Sequence, residues 1–409
     1  MRILHVTQGY WPAIGGTELL IQRVSEELVA QFGDEVTVFT TNCYNGEGFF
    51  IPSAPRMPDG IEEQNGVTVR RFEVLRQISR FARRAQQVPW KYRLPLNQYL
   101  RALAGGPVIP GLTRAIREAP ADVVAASSFP LMHMFAAERG ARRSGRPAVL
   151  HGGLHPEDEW GFERSMIHRT IQRVHYIANT QYEADFVVRR GARADRVHVI
   201  GVGVDPAQFT MTQADARRGL GFDDGPVVGF IGQIGGHKGV DTLLYAMPAV
   251  WDAHPDAWLL LAGAKTGFYP EVERIVSTLP PERRARVKLM PGFAKENKGA
   301  LFAAVDVFAY PSGYESFGIS FLEAWIAGKP VIGCRRGAIP TVVAENVDGL
   351  LVEFGDAKGL SSAIVRLLDD DGMRQAFGEA GRQKVLARYT WPEIARRFRQ
   401  VYAQAIEGK

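Results

Sequence analysis

Short apolar runs alternate with helical stretches twice along this chain, and that alternation limits its fold more than any other feature of the sequence. The second half carries the clearer series. Val227–Ile231, Trp258–Ala262, Val287–Met290, Val305–Tyr310, Val331–Gly333 and Leu350–Val352 read as strands, with helical patterns between them. Runs that are apolar throughout belong to strands buried on both faces, as in parallel sheets covered by helices. The first half repeats the theme at Ile3–Thr7, Val36–Phe39, Asp122–Ala126, Ala148–Leu150, His175–Ala178 and Val197–Ile200. The expected fold class is therefore α/β, with two doubly wound, Rossmann-like domains. A chain of 409 residues is ample for two cores of ordinary size. The joint falls in the Gly- and Asp-rich stretch Gly201–Gly225, giving an N-terminal domain at 1–205 and a C-terminal domain at 206–388. A last helix, about Trp391–Glu407, carries Ile394, Phe398, Val401 and Ala405 as its apolar stripe. Residues 389–409 are expected to return toward the first domain.

Apolar residues make up 46% and charged residues 23%, a globular balance. No apolar run approaches the roughly 20 residues of a membrane span. The opening MRILHVTQGYWP lacks the apolar core and cleavage site of a signal peptide. The two cysteines, Cys43 and Cys334, have no metal-ligand spacing. The expectation is a reducing cytoplasm and no disulfide scaffold. The net charge of +5 is mild but uneven: residues 70–101 hold nine Arg or Lys and a single acid, Glu73. Within them Val74, Ile78, Phe81 and Ala85 recur at helical spacing, with Arg76, Arg80, Arg83 and Arg84 on a different face. The segment admits two readings. One is a basic amphipathic helix meeting anionic headgroups at a membrane surface, and the other is a solvated helix packed on its own domain. Nucleic acid is not an expected partner, because the aromatics here follow no RNA- or DNA-binding motif.

The residues suited to chemistry all follow expected strands, where doubly wound sheets collect ligands. Residues 311–333, PSGYESFGISFLEAWIAGKPVIG, read as a loop, a helix and a buried strand, with Glu315 in the loop and Glu323 about two turns into the helix. Gly318 allows close approach of a ligand to the helix N-terminus, whose free N–H groups and positive dipole end suit a phosphate. Two carboxylates there suit sugar or ribose hydroxyls. Gly232–Gly239 ends in His237, Lys238 and Gly239, with Lys238 expected to open a helix, so that ammonium and dipole act on one anion. Phe293, in Pro291-Gly292-Phe293-Ala294, offers a flat surface for a nucleobase. In the first half, Gly15-Gly16-Thr17-Glu18 forms a strand-to-helix turn open to a phosphate, and His151 follows a strand and precedes Gly152-Gly153. The dinucleotide fingerprint G-x-G-x-x-G is absent from the first turn, and Thr40-Thr41-Asn42 stands where an acid would hold a ribose. A nicotinamide enzyme is not expected.

Together these segments resemble the retaining glycosyltransferases of family four, which have the GT-B fold of two Rossmann-like domains facing a cleft. The resemblance rests on the E-x7-E motif within P-S-x-x-E-S-F-G-x-x-x-x-E-A, Pro311 to Ala324, on the Gly-rich turn before Thr17-Glu18, on His151, and on VHVIGVGVDPAQF, residues 197–209. It implies a UDP- or GDP-sugar donor bound mainly by the second domain and an acceptor bound mainly by the first. By that carry-over Glu315 meets the donor sugar's hydroxyls, and the amides of Phe317, Gly318 and Ile319 face the sugar or diphosphate. Glu323 holds the ribose, Lys238 neutralises the diphosphate and Gly16 contacts it. His151 lies beside the reacting sugar, and the base stacks near Phe293. The implied reaction is transfer of a hexose to a hydroxyl acceptor with retained configuration and with neither metal nor other cofactor. A glycan or lipid-linked acceptor, in polysaccharide or glycoconjugate assembly at the inner membrane face, would account for the basic segment. The family commonly has an arginine where Gln233 stands, a glutamate where Thr341 follows Ile339-Pro340, and Pro-Asn near Gly201. Without that arginine, the diphosphate relies on Lys238, the helix ends, and His237 or Arg335. A sugar-nucleotide epimerase and a non-catalytic nucleotide-sugar binder are the competing readings.

Overall fold

The computed structural model describes residues 1–13, 15–92, 94 and 97–408. The chain divides into two compact units, Met1–Val202 with Trp391–Lys409, and Gly203–Thr390. Unit 1 is built on an eight-stranded sheet: β1 (Arg2–Val6), β2 (Glu35–Thr41), β3 (Gly60–Gln64), β4 (Val67–Phe72), β5 (Val123–Ser127), β6 (Ala148–His151), β7 (His175–Ala178) and β8 (Val197–Val199). Their order is β3-β4-β2-β1-β5-β6-β7-β8, parallel throughout except for the antiparallel β3–β4 pair at the edge. Strands β5 to β7 are buried nearly from end to end. β4 alternates instead, with Val67, Val69 and Arg71 buried between exposed neighbours.

The two sides of β1 show how the unit is layered. Leu4 and Val6 join a core with Val124, Ala126, Leu150 and Met134, the last from the helix Met132–Arg143. On the opposite face the buried His5 bonds Ser25 Oγ and Tyr402 Oη, from the helices Gly16–Phe32 and Trp391–Glu407. The C-terminal helix thus belongs to unit 1. It buries Trp391, Ile394, Phe398, Val401 and Tyr402, and Arg399 pairs with the buried Asp34 at 2.7 Å.

Unit 2 holds a six-stranded sheet of β9 (Val227–Ile231), β10 (Trp258–Gly263), β11 (Val287–Pro291), β12 (Val307–Ala309), β13 (Val331–Cys334) and β14 (Gly349–Val352). Its order is β11-β10-β9-β12-β13-β14, and every pair is parallel. Both sheets reverse their winding once, at β1/β5 and at β9/β12. The crevice beyond the carboxyl ends at such a reversal is where doubly wound sheets bind ligands.

Two expectations for residues 42–101 are corrected. Strands β3 and β4 lie where the sequence reads as a long loop running into a basic segment. β3, GIEEQ, is an exposed edge strand with little apolar content, and charge on an edge is tolerated because it deters pairing with other chains. The expected stripe Val74, Ile78, Phe81 and Ala85 is not buried as a whole: Val74, just before the helix Arg76–Ala85, is buried, but the middle of the stripe is not. The helix buries Arg76, Ser79 and Ala82, while Ile78 is 39% and Phe81 71% exposed. The reason is Arg76, whose guanidinium donates to the carbonyls of Gly48, Pro52 and Ala54 at 2.8, 2.6 and 3.0 Å. Three charge-assisted bonds into one loop hold that face inward. No helix among the described residues is long and apolar enough to cross a membrane.

Candidate active site

At the β9/β12 reversal of unit 2, two loops are joined by their backbones. Gly239 has φ of 70°, and a Cβ there would lie 2.1 Å from the carbonyl oxygen of Pro311. Only glycine permits that approach. Next to it Gly313 N donates to the His237 carbonyl at 2.8 Å, and the His237 and Tyr314 rings stack at 5.3 Å. This closure brings Lys238 Nζ to 2.6 Å from Glu315 Oε1, with both side chains only 12–13% exposed. The sequence places Lys238 at the start of a helix, and the structure corrects this. Lys238 ends a 3-10 turn, Gly236–Lys238, and Gly239 caps the helix Val240–Ala253.

The helix Ile319–Ile326 starts from Gly318, whose φ of 91° suits glycine, and no side chain caps it. Phe317 turns its ring into unit 2 against Tyr389 at 5.5 Å, so its backbone is what it offers to the loop. Glu323 lies inside, 6% exposed, and bonds Lys298 through Oε1, while Oε2 has no partner. Burial pushes its carboxyl up, with Lys298 opposing. Tyr310 is buried, and its phenol is driven well above its ordinary range by burial first and then by Glu315 and Glu323. Sequence reasoning missed Lys298 and Tyr310, although each borders a strand-end loop, the position that singled out Lys238.

The remaining unit 2 residues also follow strand ends. Gln233 is exposed just beyond β9, and Phe293 is half-buried just beyond β11. Arg335 forks onto Glu345 at 2.6 and 2.7 Å, so its charge is already matched. Burial first, then Lys238, lowers the His237 pKa, which favours the neutral ring.

In unit 1, Gly16 is exposed at the first turn of the helix Gly16–Phe32, with nothing within 4 Å of where its Cβ would be. His151 ends β6 and is held from both sides. Ser127 Oγ lies 2.9 Å from Nδ1, and Asn179 Oδ1 lies 2.8 Å from Nε2. Burial lowers its pKa to about 4, so the ring is neutral, donating from Nε2 and accepting at Nδ1. Neither nitrogen is left for a ligand in this arrangement; what His151 presents to the strand end is its backbone and the glycines after it. Beneath that loop the buried Glu183 accepts from Leu154 N, Asn179 N and Tyr176 Oη.

Residues 14–208 match the model of Glycosyltransferase Family 4 and residues 212–384 that of Glycosyl transferases group 1. D-inositol 3-phosphate glycosyltransferase of Xylanimonas cellulosilytica is 34% identical over 244 residues, 57% of this chain and 57% of the relative. A GDP-mannose-dependent monoacylated alpha-(1-6)-phosphatidylinositol monomannoside mannosyltransferase of Corynebacterium glutamicum is 35% identical over 211 residues, 49% of this chain and 54% of the relative. The chain thus spans a little over half the length of these curated relatives. Among solved structures, sucrose-phosphate synthase of Thermosynechococcus elongatus aligns over 100% of both chains, with a TM-score of 0.71 and 21% identity. Anabaena HepE in complex with UDP-glucose aligns over 99% of this chain and 100% of its own, with a TM-score of 0.71 and 21% identity. These two likenesses concern the fold. With both family models taking in one unit each, the chain belongs to the GT-B glycosyltransferases of family four.

Proposed function

We infer that this protein transfers a hexose from a nucleotide diphosphate sugar to a hydroxyl acceptor, with retained configuration and without a metal cofactor. The observation that carries the reading is the Lys238–Glu315 pair at the β9/β12 reversal, beside the uncapped helix start at Gly318. Departure of a nucleoside diphosphate builds negative charge on a phosphate oxygen, and preorganised donors must meet it. The Lys238 ammonium and the first N–H groups after Gly318 are such donors. An incoming diphosphate shares the ammonium with Glu315, whose oxygens then accept from sugar hydroxyls. The unpartnered Oε2 of Glu323 accepts from a ribose hydroxyl, which removes the cost of leaving a buried oxygen unsatisfied. The acceptor attacks on the face the leaving group vacates, and the departing phosphate takes its proton. In this reading the protein supplies no carboxylate nucleophile.

The activities for which the relatives are named support a UDP- or GDP-hexose as donor and a polyol phosphate or phospholipid-linked glycan as acceptor. A panel of sugar nucleotides scored for nucleoside diphosphate release, with and without chelator, tests the reading, and NMR of the product's anomeric proton reports stereochemistry. Release with one UDP- or GDP-hexose, unaffected by chelator and giving a retained product, is expected. Loss of activity with chelator, or an inverted product, overturns the corresponding part. Gln233, uncharged where the family commonly has arginine, favours a second reading as a non-catalytic binder. That reading predicts donor binding in calorimetry with no nucleoside diphosphate released for any acceptor.

A further inference from the structure

Three buried arginines of unit 1, Arg76, Arg101 and Arg164, are bonded by no carboxylate among the described residues; Arg76 spends its guanidinium on three carbonyls, and the other two do not. Arg101 lies in the helix Asn97–Gly105 and is 5% exposed; Arg164 precedes the helix Ser165–Ile171 and is 3% exposed. The two segments are docked on each other. Gln98 Nε2 donates to Ser165 Oγ at 2.8 Å, Met166 N donates to Gln98 Oε1 at 3.0 Å, and Arg169 donates to Tyr99 Oη at 2.9 Å. The Arg101 guanidinium sits in the corner formed by the indoles of Trp90 and Trp160, 4.4 and 4.6 Å from their centroids, and Arg164 lies 5.6 Å from the Trp160 ring. The two indoles meet edge to face at 5.5 Å, and each is 40% exposed, so the cluster borders solvent.

Their hydrogen bonding is incomplete. Among the described residues Arg101 reaches only Asn97 Oδ1, at 3.4 Å, and Arg164 only the Trp160 carbonyl, at 3.5 Å. Nε and Nη2 of Arg101, and Nε and Nη1 of Arg164, are buried without a partner. In Arg101 these two nitrogens form one edge of the guanidinium, the fork that takes an oxyanion through two parallel bonds. Burial and the neighbouring Arg101 lower the Arg164 pKa to about 10; Asp158 opposes this at both arginines without bonding either, and its Oδ1 accepts from Gly161 N at 2.8 Å. Desolvated cations with free donors are costly unless an anion joins them. Two positive charges and four donor nitrogens match a phosphate better than a carboxylate, which brings one charge and two oxygens.

We propose that Arg101 and Arg164, framed by Trp90 and Trp160, form a phosphate-binding site in unit 1. The loop carrying Arg164 leaves the carboxyl end of β6, the sheet edge at which His151 stands. If the transfer reading of the preceding section holds, the phosphate is part of the acceptor, and this assignment rests on that reading; the site itself does not. A soluble phosphate ester and an anionic phospholipid headgroup share the required chemistry.

The test titrates the full chain, without donor, with inorganic phosphate at constant ionic strength, read by calorimetry and indole fluorescence. Glycerol phosphate and vesicles of phosphatidylcholine with or without phosphatidic acid form the other arms. Saturable phosphate binding is expected, weakened about tenfold or more in Arg101→Gln and Arg164→Gln, as for loss of charged hydrogen bonds. Arg101→Lys, which keeps charge and loses the fork, should bind with intermediate affinity and control for folding through an unchanged melting temperature. Competition between glycerol phosphate and the anionic vesicles places both at this site, and response to only one identifies the source. No saturable response to any phosphate, or equal binding by wild type and both glutamine variants, overturns the site. Because no donor is present, that failure is separate from a failure of sugar transfer.

Discussion

Lys238 and Glu315 hold each other at 2.6 Å, mostly out of solvent, so removing either leaves the other's charge poorly compensated. Lys238→Ala should therefore lower turnover by about 2–4 kcal/mol of transition-state stabilisation, the size expected for loss of one preorganised donor. Steady-state kinetics checks it, and near-normal turnover would remove Lys238 from the site. Glu315→Gln should impair turnover with the sugar nucleotide more than it weakens binding of the free nucleoside diphosphate. Equal losses in kinetics and in a nucleotide titration would contradict its assignment to the sugar. The sequence pointed to both residues because each follows an apolar run at a strand end. Their pairing was hidden in it, since that depends on the left-handed Gly239 and on a backbone bond between residues 237 and 313. His151 stands out in the sequence by the same strand-end position, but its ring is engaged on both sides. Its two partners, Ser127 and Asn179, come from strand ends 24 and 28 residues away and could not be read from spacing.

At the scale of elements, the buried parallel strands were plain because each is a continuous apolar run, and the C-terminal helix because its stripe repeats every three or four residues. β3 and β4 were not, since one is a solvent-facing edge and the other carries Arg70 and Arg71 among its valines. The helix Arg76–Ala85 misled because a buried arginine took the place of an apolar anchor. The result is a surface with Ile78, Phe81, Val88, Trp90, Tyr92 and Leu94 exposed beside Arg80, Arg84 and Lys91. Exposed apolar groups among cations suit an interface of acyl chains and anionic headgroups. Vesicles containing phosphatidylglycerol should retain the protein at low salt, and Ile78→Glu with Phe81→Glu should release most of it. Arg80→Glu with Arg84→Glu should do the same, with a steeper dependence on salt. Retention that is indifferent to both pairs of changes in a co-sedimentation assay would leave this surface without a membrane role.

Across the whole molecule, titration separates the two units. Of nine histidines, seven lie in unit 1, and three of those, His5, His133 and His151, are fully enclosed. Burial lowers their pKa values to about 3, 4 and 4 from an ordinary 6.5. A folded-state value below the unfolded one means that the folded form resists protonation. The stabilisation is complete above about pH 6.5 and is lost as pH falls from there toward 4. Each histidine contributes on the order of 2–3 kcal/mol over that interval. Glu183 acts in the opposite sense: burial raises it from 4.5 to about 7, so unit 1 gains stability from this group as pH falls through 7 toward 4.5. One carboxyl of comparable displacement offsets about one of the three histidines. Unit 2 has only His237 and His254, both partly solvated, and its buried Glu323, whose carboxyl is raised, favours acid rather than opposing it. Lowering the pH from 7.5 to 5 should therefore pull down the melting transition of unit 1 well before that of unit 2. Scanning calorimetry with and without UDP or GDP assigns the transitions, because a nucleotide bound by unit 2 raises only the transition of the unit that holds it. Should the nucleotide-responsive transition fall first in acid, or both fall together, the buried histidines are not what sets the acid limit of this fold.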